Sequence, residues 1–216
     1  MKNDTVCRKE NRRVKYTKSV LKDSLLHFLL EKPLREISIT ELCNFADVNR
    51  GTFYNYYKDV DNLLDSIESD FIENLFSVAK DLNVADVFFN ISFASDNNHA
   101  PLDRNSICTF IEGILNYLRT EREVCKLLLT GDCGRNFINR ISDSITAYYV
   151  VNWRMYVDAS ARANEEDYLS MLFRYVTIGI IELIIDWIRD DMRIPPKEYA
   201  ELIVRVAGTE IFGIQP

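Results

Sequence analysis

The chain has 216 residues and a net charge of −7, with 47% hydrophobic and 27% charged residues. This length and composition are typical of a folded protein of one or two domains and exclude a largely disordered chain. The five cysteines include no CxxC pair, so they predict neither a disulfide framework nor a zinc site, and a reduced cytoplasmic setting is expected.

The charge is unevenly distributed along the chain. Residues 1–35 contain ten Lys or Arg and four Asp or Glu, whereas residues 61–216 contain fourteen and twenty-five. A basic N-terminal end indicates a phosphate-binding surface, and the acidic remainder would be repelled from a nucleic acid. The alternative is a charged segment that only improves solubility.

The first forty residues predict an arm and one helix. Residues 1–16 are polar and basic without an apolar period, so a mobile arm is expected, and Thr17 is a plausible N-cap for the first helix. Pro33 is expected to end that helix. Its apolar stripe consists of Leu21, Leu25, Phe28 and Leu29.

The stretch Ser38–Tyr57 predicts two short helices joined by a tight turn. The first helix places Ile39, Leu42, Cys43 and Ala46 on one face. Asp47 tolerates the left-handed backbone that a tight turn needs. The second helix buries Val48, Phe53 and Tyr57 and leaves polar side chains outside, as a helix-turn-helix requires.

The rest of the chain predicts further helices and no strand, so the expected fold is all-α. Asp59 is the expected N-cap of a long helix that joins an N-terminal helix-turn-helix domain with its basic arm, residues 1–60, to a larger helical domain, residues 61–216. A loop is expected over Ser92–Asp103. The helices expected after it begin near Asn105, Glu121, Arg135, Glu165 and Pro196.

The last two helices carry more apolar surface than a small domain covers. Leu169, Val176 and Trp187 fall on one side of the first of them and Tyr175, Ile178 and Ile185 on another, so this helix is expected to be buried on both sides. The stripe of the final helix is Tyr199, Leu202, Ile203, Val206 and Ala207. A homodimer interface is therefore expected here, and the alternative is a monomer in which other helices cover this surface.

An enzyme is disfavoured by the residue types present. The chain has only two histidines, His27 and His99, and no recognisable nucleophile–histidine pair, metal-ligand spacing or glycine-rich phosphate loop. Glu182 and Asp186, four residues apart, are more simply explained by pairing with arginine. No cofactor and no metal are expected, and the apolar run 175–188 is too short and too charged to span a membrane.

The helix-turn-helix stretch closely resembles the N-terminal DNA-binding domain of the TetR family of transcriptional regulators. The resemblance covers about residues 16–64 and rests on Ile39–Cys43, Ala46–Asp59 and Leu63–Leu64, with the core Arg50-Gly51-Thr52-Phe53-Tyr54. The last two helices are similar to the C-terminal region of a subgroup of these regulators. The resemblance implies a homodimer that binds a roughly palindromic double-stranded DNA operator, usually as a repressor, and dissociates when an effector binds the C-terminal domain.

The resemblance also assigns residues to the DNA. It implies that Arg50, Gly51, Tyr54 and Asn55 face bases, with Thr40 as a further candidate, and that Ser38, Thr52, Tyr56 and Lys58 contact phosphates. Core packing is the alternative role for Tyr54 and Tyr56. Two positions depart from the family pattern: Asp47 stands where glycine is common, and Val60 where a phosphate-binding lysine is common, so affinity would depend more on Lys58 and the basic arm.

The effector is not identified by the sequence. Residues that could line a pocket are Tyr117, Arg119, Tyr148, Trp153 and Tyr175, although ordinary packing explains each singly. A helical adaptor or regulator controlled by a partner protein is the alternative function. Cys125 or Cys133 would be a redox sensor only if its thiol pKa were lowered.

Overall fold

The computed structural model describes residues 2–81, 104–131, 134–156 and 162–211. Within these ranges every regular element is helical, which confirms the all-α prediction. The α-helices are α1 (Lys2–Leu29), α2 (Ile39–Phe45), α3 (Arg50–Tyr54), α4 (Val60–Asp81), α5 (Arg104–Thr120), α6 (Arg122–Thr130), α7 (Gly134–Tyr156), α8 (Arg162–Arg189) and α9 (Pro196–Ile211). A 3₁₀ turn, Leu34–Glu36, precedes α2. The loop expected over Ser92–Asp103 lies outside the described residues.

The chain divides into two compact units, Met1–Phe71 and Ile72–Pro216, which we call the N-terminal and the C-terminal unit. Helix α4 begins in the first unit and ends in the second. The domain boundary expected at residue 60 stays a prediction.

The N-terminal unit is held by apolar faces of α1, α2, α3 and α4. Leu21 and Leu25 of α1 are fully buried, as the sequence predicts, and Phe28 is 8% exposed. Leu29, expected on the same stripe, is only partly buried. Lys22 of α1 forms an ion pair with Asp70 of α4, which ties these two helices together inside the unit.

The expected mobile arm is wrong, because α1 begins at Lys2 rather than near Thr17. Residues 2–29 contain neither glycine nor proline and are rich in lysine and arginine, which are good helix formers. Thr17 is inside the helix, and its hydroxyl donates a 2.9 Å hydrogen bond to the carbonyl of Arg13 instead of capping. Apolar periodicity does not predict the first part of this helix, since residues 2–16 carry no apolar stripe.

The turn between α2 and α3 is a Schellman-type C-cap. The amide of Val48 donates to the carbonyl of Cys43 at 2.9 Å, and the amide of Asp47 donates to the carbonyl of Asn44 at 3.4 Å. Asp47 has a φ of 52°, so the predicted left-handed residue is confirmed. This turn sets the direction in which α3 leaves α2.

In the C-terminal unit, α5 packs mainly against α9, α7 packs against α8, and α6 contacts both α7 and α8. Ile107, Ile111, Ile114, Leu115 and Leu118 of α5 are buried, which confirms the predicted stripe, and Phe110 is partly exposed. Within the described residues, no helix is long and apolar enough to cross a membrane.

The corner between α8 and α9 is closely fixed. The Trp187 indole donates to the carbonyl of Ile194 at 2.8 Å, and the Tyr199 hydroxyl donates to the carbonyl of Leu183 at 2.6 Å. The two rings stack with their centroids 5.7 Å apart. Pro196 is the first residue of α9, as predicted, where its missing amide hydrogen costs nothing.

The expectation that α8 is buried on both sides is wrong for the single chain. Tyr175 is 68% exposed and Ile178 is 43% exposed, whereas Ile185 is buried. Val206, expected on the inner stripe of α9, is 65% exposed. These side chains are not covered within one copy because α5, α6 and α7 pack on the other faces of the two helices.

Candidate nucleic-acid interface

Each helix of the candidate interface is started by a side chain that caps it. The Ser38 hydroxyl accepts a 3.2 Å hydrogen bond from the Glu41 amide at the start of α2, and Asn49 Oδ1 accepts one of 2.8 Å from the Gly51 amide at the start of α3. Asp59, the predicted cap of α4, accepts from the Asn62 amide at 2.8 Å. The cap at Asn49 was not predicted, although an asparagine directly before a helix is a common cap signal.

Buried side chains fix the inner side of α2 and α3. Leu42 and Phe53 are fully buried, Cys43 is 2% exposed, and Tyr57 is 4% exposed. The Phe53 and Tyr57 rings pack with their centroids 5.8 Å apart. The predicted inner face is therefore confirmed at these four positions. Ile39, Ala46 and Val48, expected on the same face, are only partly buried, and the polar positions of the two helices are exposed or partly buried.

The residues that the resemblance assigns to DNA lie on this outer side. Exposed positions are Ser38, Thr40, Arg50, Gly51, Tyr54, Asn55 and Lys58. Thr52 and Tyr56 are partly buried. Tyr54 is 52% exposed and is not part of the core, even though its ring meets the Phe53 ring edge-on at 5.7 Å. The surface thus offers a guanidinium, an ammonium, hydroxyls and an amide, which can donate hydrogen bonds to acceptor atoms on base edges and phosphates.

Two of these residues also have a structural role. Ser38 caps α2, so its hydroxyl is already engaged with a backbone amide. A Cβ atom at Gly51 would lie 3.1 Å from Asn49 Oδ1, so a side chain there would crowd the cap of α3. A loss of DNA binding on changing either residue would have to be separated from a loss of helix stability.

Lys18 joins the interface from a distant part of the sequence. Its ammonium nitrogen lies 5.7 Å from the centre of the Tyr56 ring, within cation–π range. The Tyr56 ring also meets the Tyr57 ring at a centroid distance of 6.5 Å. Because Lys18 and Tyr56 are separated by most of the unit in sequence, no local pattern indicates this contact.

The two departures from the family pattern have different consequences. Asp47 takes the left-handed conformation that glycine would take, so the turn is preserved. Val60 is 7% exposed and belongs to the core of the unit. The cation that a lysine would present to a phosphate at this position is therefore missing. Lys58, two residues earlier, is exposed.

Two of the candidate effector residues contact the second half of α4 within the C-terminal unit. Tyr117 of α5 forms a hydrogen bond with the Asn74 side chain, and the Tyr148 ring of α7 lies 5.7 Å from the Phe76 ring. Burial, with added repulsion from Glu121 and Cys125, raises the pKa of Tyr117 to about 12, so this phenol is neutral. Arg119 and Tyr175 are exposed, and the side chain of Trp153 lies outside the described residues.

Two of the described cysteines, Cys43 and Cys125, are not activated thiols. Cys125 is fully buried, and burial together with the Glu121 charge raises its pKa to about 12. Burial also raises the pKa of Cys43, against the opposing charge of Arg50. A redox role for Cys125 is therefore disfavoured, because the thiolate is the reactive form. Cys133 lies outside the described residues.

The described residues contain no cluster of three or more His, Cys, Asp or Glu side chains that could hold a metal ion. Glu182 and Asp186 are both exposed on α8, and Asp186 forms an ion pair with Arg189 at 3.1 Å. This pairing with arginine is the simple explanation that the sequence favours for Asp186.

Comparison with known proteins gives a family match and a set of similar folds. Residues 105–208 match the family model described as "Transcriptional regulator C-terminal region". No curated protein sequence matches the chain.

Three solved structures illustrate the structural likeness. A putative TetR-family transcriptional regulator from Syntrophomonas wolfei has a TM-score of 0.64 at 14% identity, over 93% of this chain and 97% of the other. A TetR transcriptional regulator from Streptococcus agalactiae has a TM-score of 0.58 at 16% identity, over 93% and 98%. The dihydroxyacetone kinase operon activator DhaS has a TM-score of 0.53 at 16% identity, again over 93% and 98%. At these identities the likeness shows a shared fold.

Proposed function

We propose that the chain is a transcriptional regulator of the TetR type, which acts as a homodimeric repressor of a roughly palindromic operator. The observation that carries the proposal is the α2–turn–α3 unit, whose inner side is buried and whose outer side presents Arg50, Asn55 and Lys58 to solvent. In this proposal α3 enters the major groove, where Arg50 and Asn55 read bases and Lys58 binds phosphate. Two such helices in a dimer would read grooves about 34 Å apart or a multiple of that distance.

The exposed apolar side chains of α8 and α9 support dimerisation through these helices. Met171, Tyr175 and Ile178 recur at intervals of four and three residues on α8 and are 73%, 68% and 43% exposed. Val206 of α9 is 65% exposed. A face of this kind is what a second copy would cover, and a two-fold axis would bring the same patch from each subunit together.

Gly179 adds a second argument for the same face. It lies in the middle of α8, where glycine destabilises a helix by about 1 kcal/mol relative to alanine. It is exposed, and a Cβ atom built on it would meet nothing within 4 Å. Nothing described within one copy therefore requires glycine here, whereas close approach of a helix from a second copy would.

The direction of regulation and the effector belong to the proposal as well. We propose that an effector bound in the C-terminal unit releases the operator, with Tyr117 and Tyr148 as candidate contacts because both reach α4. Activation is the second candidate, favoured by the fold shared with DhaS, which is named an operon activator. Control by a partner protein instead of a small ligand remains the other alternative. We expect no enzymatic activity and a cytoplasmic location.

The test is to select DNA with the full-length protein from a library of random duplexes and then to map the protected bases. We expect an enriched, roughly palindromic sequence and a footprint with two protected half-sites. With six to ten neutralised phosphates, affinity should fall by about 10³ to 10⁵ between 50 and 200 mM salt. A protein that enriches no sequence, or whose binding does not respond to salt, would overturn the proposal.

The direction of control needs a separate measurement. The selected sequence is placed in a promoter that reads out a reporter, either overlapping the start of transcription or upstream of it. Repression that a cell extract or ligand library relieves supports the proposed mechanism. Stimulation from the upstream position would instead establish the activator.

A further inference from the structure

Helix α1 extends well beyond the part that is packed in the core. Among the described side chains of α1, the first one that is fully buried is Leu21. Arg12, Lys15 and Lys18 are exposed, and Tyr16 is 70% exposed. A segment of α1 before Leu21 therefore stands at the surface, although it is as helical as the packed part.

The surface segment is strongly and uniformly basic. Residues 11–22 contain five Lys or Arg and no Asp or Glu. One of the five, Lys22, is paired with Asp70. Among the side chains that the structure describes, none forms an ion pair with the other four cations, which are Arg12, Arg13, Lys15 and Lys18. A run of unneutralised cations on a rigid element is the electrostatic footprint of a polyanion.

The cations are arranged by the helical period. At 100° per residue, Arg12, Lys15, Lys18 and Lys22 fall within an arc of about 120°, beside the face that Leu21 and Leu25 bury. Arg13 falls on the far side of the helix from the centre of this arc. We define the basic stripe as Arg12, Lys15 and Lys18, the cations of this arc other than Lys22, which is paired with Asp70. Arg13 is a cation of the same helix that lies outside the stripe.

The stripe begins at the candidate nucleic-acid interface. Lys18 lies over the Tyr56 ring at 5.7 Å, and Tyr56 is one of the residues proposed to contact phosphate. From Lys18 to Arg12 the helix rises about 9 Å, at 1.5 Å per residue, and along the axis of a duplex each strand carries one phosphate about every 3.4 Å. A duplex held against α3 would therefore have further phosphates within reach of the stripe.

We propose that the basic stripe of α1 is a second DNA-binding element, which binds phosphates of the duplex beside those held by Tyr56 and Lys58. This inference rests on the proposed function, because it assumes that a duplex lies against α3. The stripe contributes affinity without choosing a sequence, since phosphates are the same at every base pair. It also compensates for Val60, a buried residue that stands where the family commonly has a phosphate-binding lysine.

Double-stranded DNA fits the stripe better than a membrane surface does. An interfacial helix needs a wide apolar face beside its cations. Between residues 11 and 19 the only apolar or aromatic residues are Val14 and Tyr16, which fall on different sides of the helix. The charge of this segment is therefore not accompanied by an apolar surface that acyl chains would bury.

The test compares two double variants with the same change of net charge. The first, Arg12→Gln with Lys15→Gln, removes two stripe cations and keeps Lys18 on Tyr56. The control, Arg13→Gln with Lys197→Gln, removes one cation outside the stripe and one exposed cation of α9. Binding to the selected operator and to a random duplex of the same length is measured from 50 to 200 mM salt, and ethylation interference maps the phosphates that each protein needs.

We expect the stripe variant to lose affinity equally on both duplexes. Its plot of log affinity against log salt should be shallower than that of the wild type by about 3 to 4, because a dimer loses four phosphate contacts at about 0.9 each. The interference map should lose phosphates beside those at Tyr56. The control variant should keep the wild-type slope and the wild-type map.

Three results would overturn the inference. These are an unchanged slope and map in the stripe variant, an equal change in the control, or stripe-dependent binding to anionic phosphatidylglycerol vesicles with no effect on DNA. Failure of the proposed function is distinguishable, because it would appear as a wild type that selects no sequence.

Discussion

The N-terminal unit and the C-terminal unit leave different kinds of surface exposed. In the N-terminal unit, the outer side of α2 and α3 carries cations, hydroxyls and an amide, and the inner side is buried in the core. Residues 11–22 of α1 add five cations and no acid. Among the described residues of the C-terminal unit, the large apolar side chains that are exposed are Met171, Tyr175, Ile178 and Val206, all on α8 and α9. The N-terminal unit also exposes large apolar side chains, but they are spread over α1, the link after it, α2 and α3, at Tyr16, Leu30, Phe45 and Tyr54. Residues 61–216 carry an excess of eleven negative charges.

The difference indicates which forces hold each expected partner. Contacts of cations with phosphate are long-ranged, sensitive to salt and indifferent to sequence. Contacts of an apolar face depend on buried area and close fit and change little with salt. Changes in the N-terminal unit should therefore alter the salt dependence of DNA binding or the choice of bases, whereas changes in α8 and α9 of the C-terminal unit should alter the oligomeric state.

The largest effect is expected from charges placed on the apolar face. Ile178→Glu with Val206→Glu would bury two unpaired carboxylates in the proposed dimer, at a cost of about 3–5 kcal/mol for an uncompensated buried charge. Sedimentation velocity should show monomers, and operator affinity should fall with them. Lys197→Glu is the control, since it makes the same change of net charge on an exposed residue of α9. A double variant that stays dimeric would remove this face from the interface.

Gly179→Leu tests close approach of the helices with effects of opposite sign. In the monomer the position is open and leucine is the better helix former, so helix stability should rise by up to about 1 kcal/mol. In the dimer the side chain should separate the two helices and weaken association. Thermal unfolding at low concentration and sedimentation measure the two effects. Dimerisation as strong as that of the wild type would contradict the role of Gly179.

Arg50→Ala should weaken binding to the selected operator by about 1–3 kcal/mol and affect random DNA less. The reason is that a guanidinium on a base edge contributes to choice as well as to affinity. Arg35→Ala, which removes an equally exposed arginine from the same unit, is the control. Equal losses on operator and random DNA would show that Arg50 does not read bases.

Ser38 can be used to separate helix capping from phosphate binding. Ser38→Ala should lower the free energy of unfolding by about 1 kcal/mol, because the Glu41 amide loses its acceptor. Ser38→Asp keeps an acceptor for that amide but places a negative charge near the proposed phosphate. It should therefore fold like the wild type and bind DNA less well. If Ser38→Asp binds DNA normally, Ser38 is a cap only.

Lys58→Ala should reduce affinity uniformly on operator and random DNA and leave stability unchanged. Loss of one phosphate contact per subunit should make the salt slope of the dimer shallower by about 2. Titrations of both duplexes at several salt concentrations measure this. A slope identical to that of the wild type would exclude a phosphate contact at Lys58.

The smallest effect is expected from Asp191, at the corner between α8 and α9. Ion pairs with Arg122 and Lys126 lower the pKa of its carboxyl from 3.8 to about 2. Because the pKa is lower in the folded state, the contribution to stability is fully present above about pH 4 and is lost as the pH falls through 2.

Thermal unfolding midpoints measured from pH 7 to pH 2 test the contribution of these ion pairs to stability. Asp191→Asn should lower the midpoint slightly at pH 7 and flatten its fall between pH 4 and 2, since asparagine tolerates the φ of 63° but carries no charge. Asp190→Asn is the control, because Asp190 pairs only with Arg193 among the described ion pairs. A wild-type pH profile in Asp191→Asn would show that the ion pairs contribute nothing.

Much of the fold and of the candidate interface could be predicted because the signals are local. The left-handed turn at Asp47, the cap at Asp59 and the proline start of α9 each depend on residues within a few positions of one another. The apolar stripes of α5 and of the inner face of α2 and α3 are likewise read from one helix at a time. The all-α fold follows from these stripes, since each must be covered by another helix.

The errors have an equally physical origin. The N-terminal residues predict a mobile arm because they lack an apolar period, but a helix rich in lysine and arginine needs no such period to form. The α8 helix was expected to be buried on both sides because periodicity shows how much apolar surface exists and not which neighbour covers it. Lys18 was not assigned to the interface, since its contact with Tyr56 joins two separate helices.

By itself the sequence determined the helices after residue 17, the left-handed turn at Asp47, the cap at Asp59 and the family resemblance, because hydrogen bonding and apolar periodicity act over one or two turns of a helix. Only the tertiary structure decided which apolar residues remain uncovered on α8 and α9 and which cation meets the Tyr56 ring. Those outcomes depend on how separate helices pack. Contact between residues far apart in sequence leaves no periodic signal in the chain.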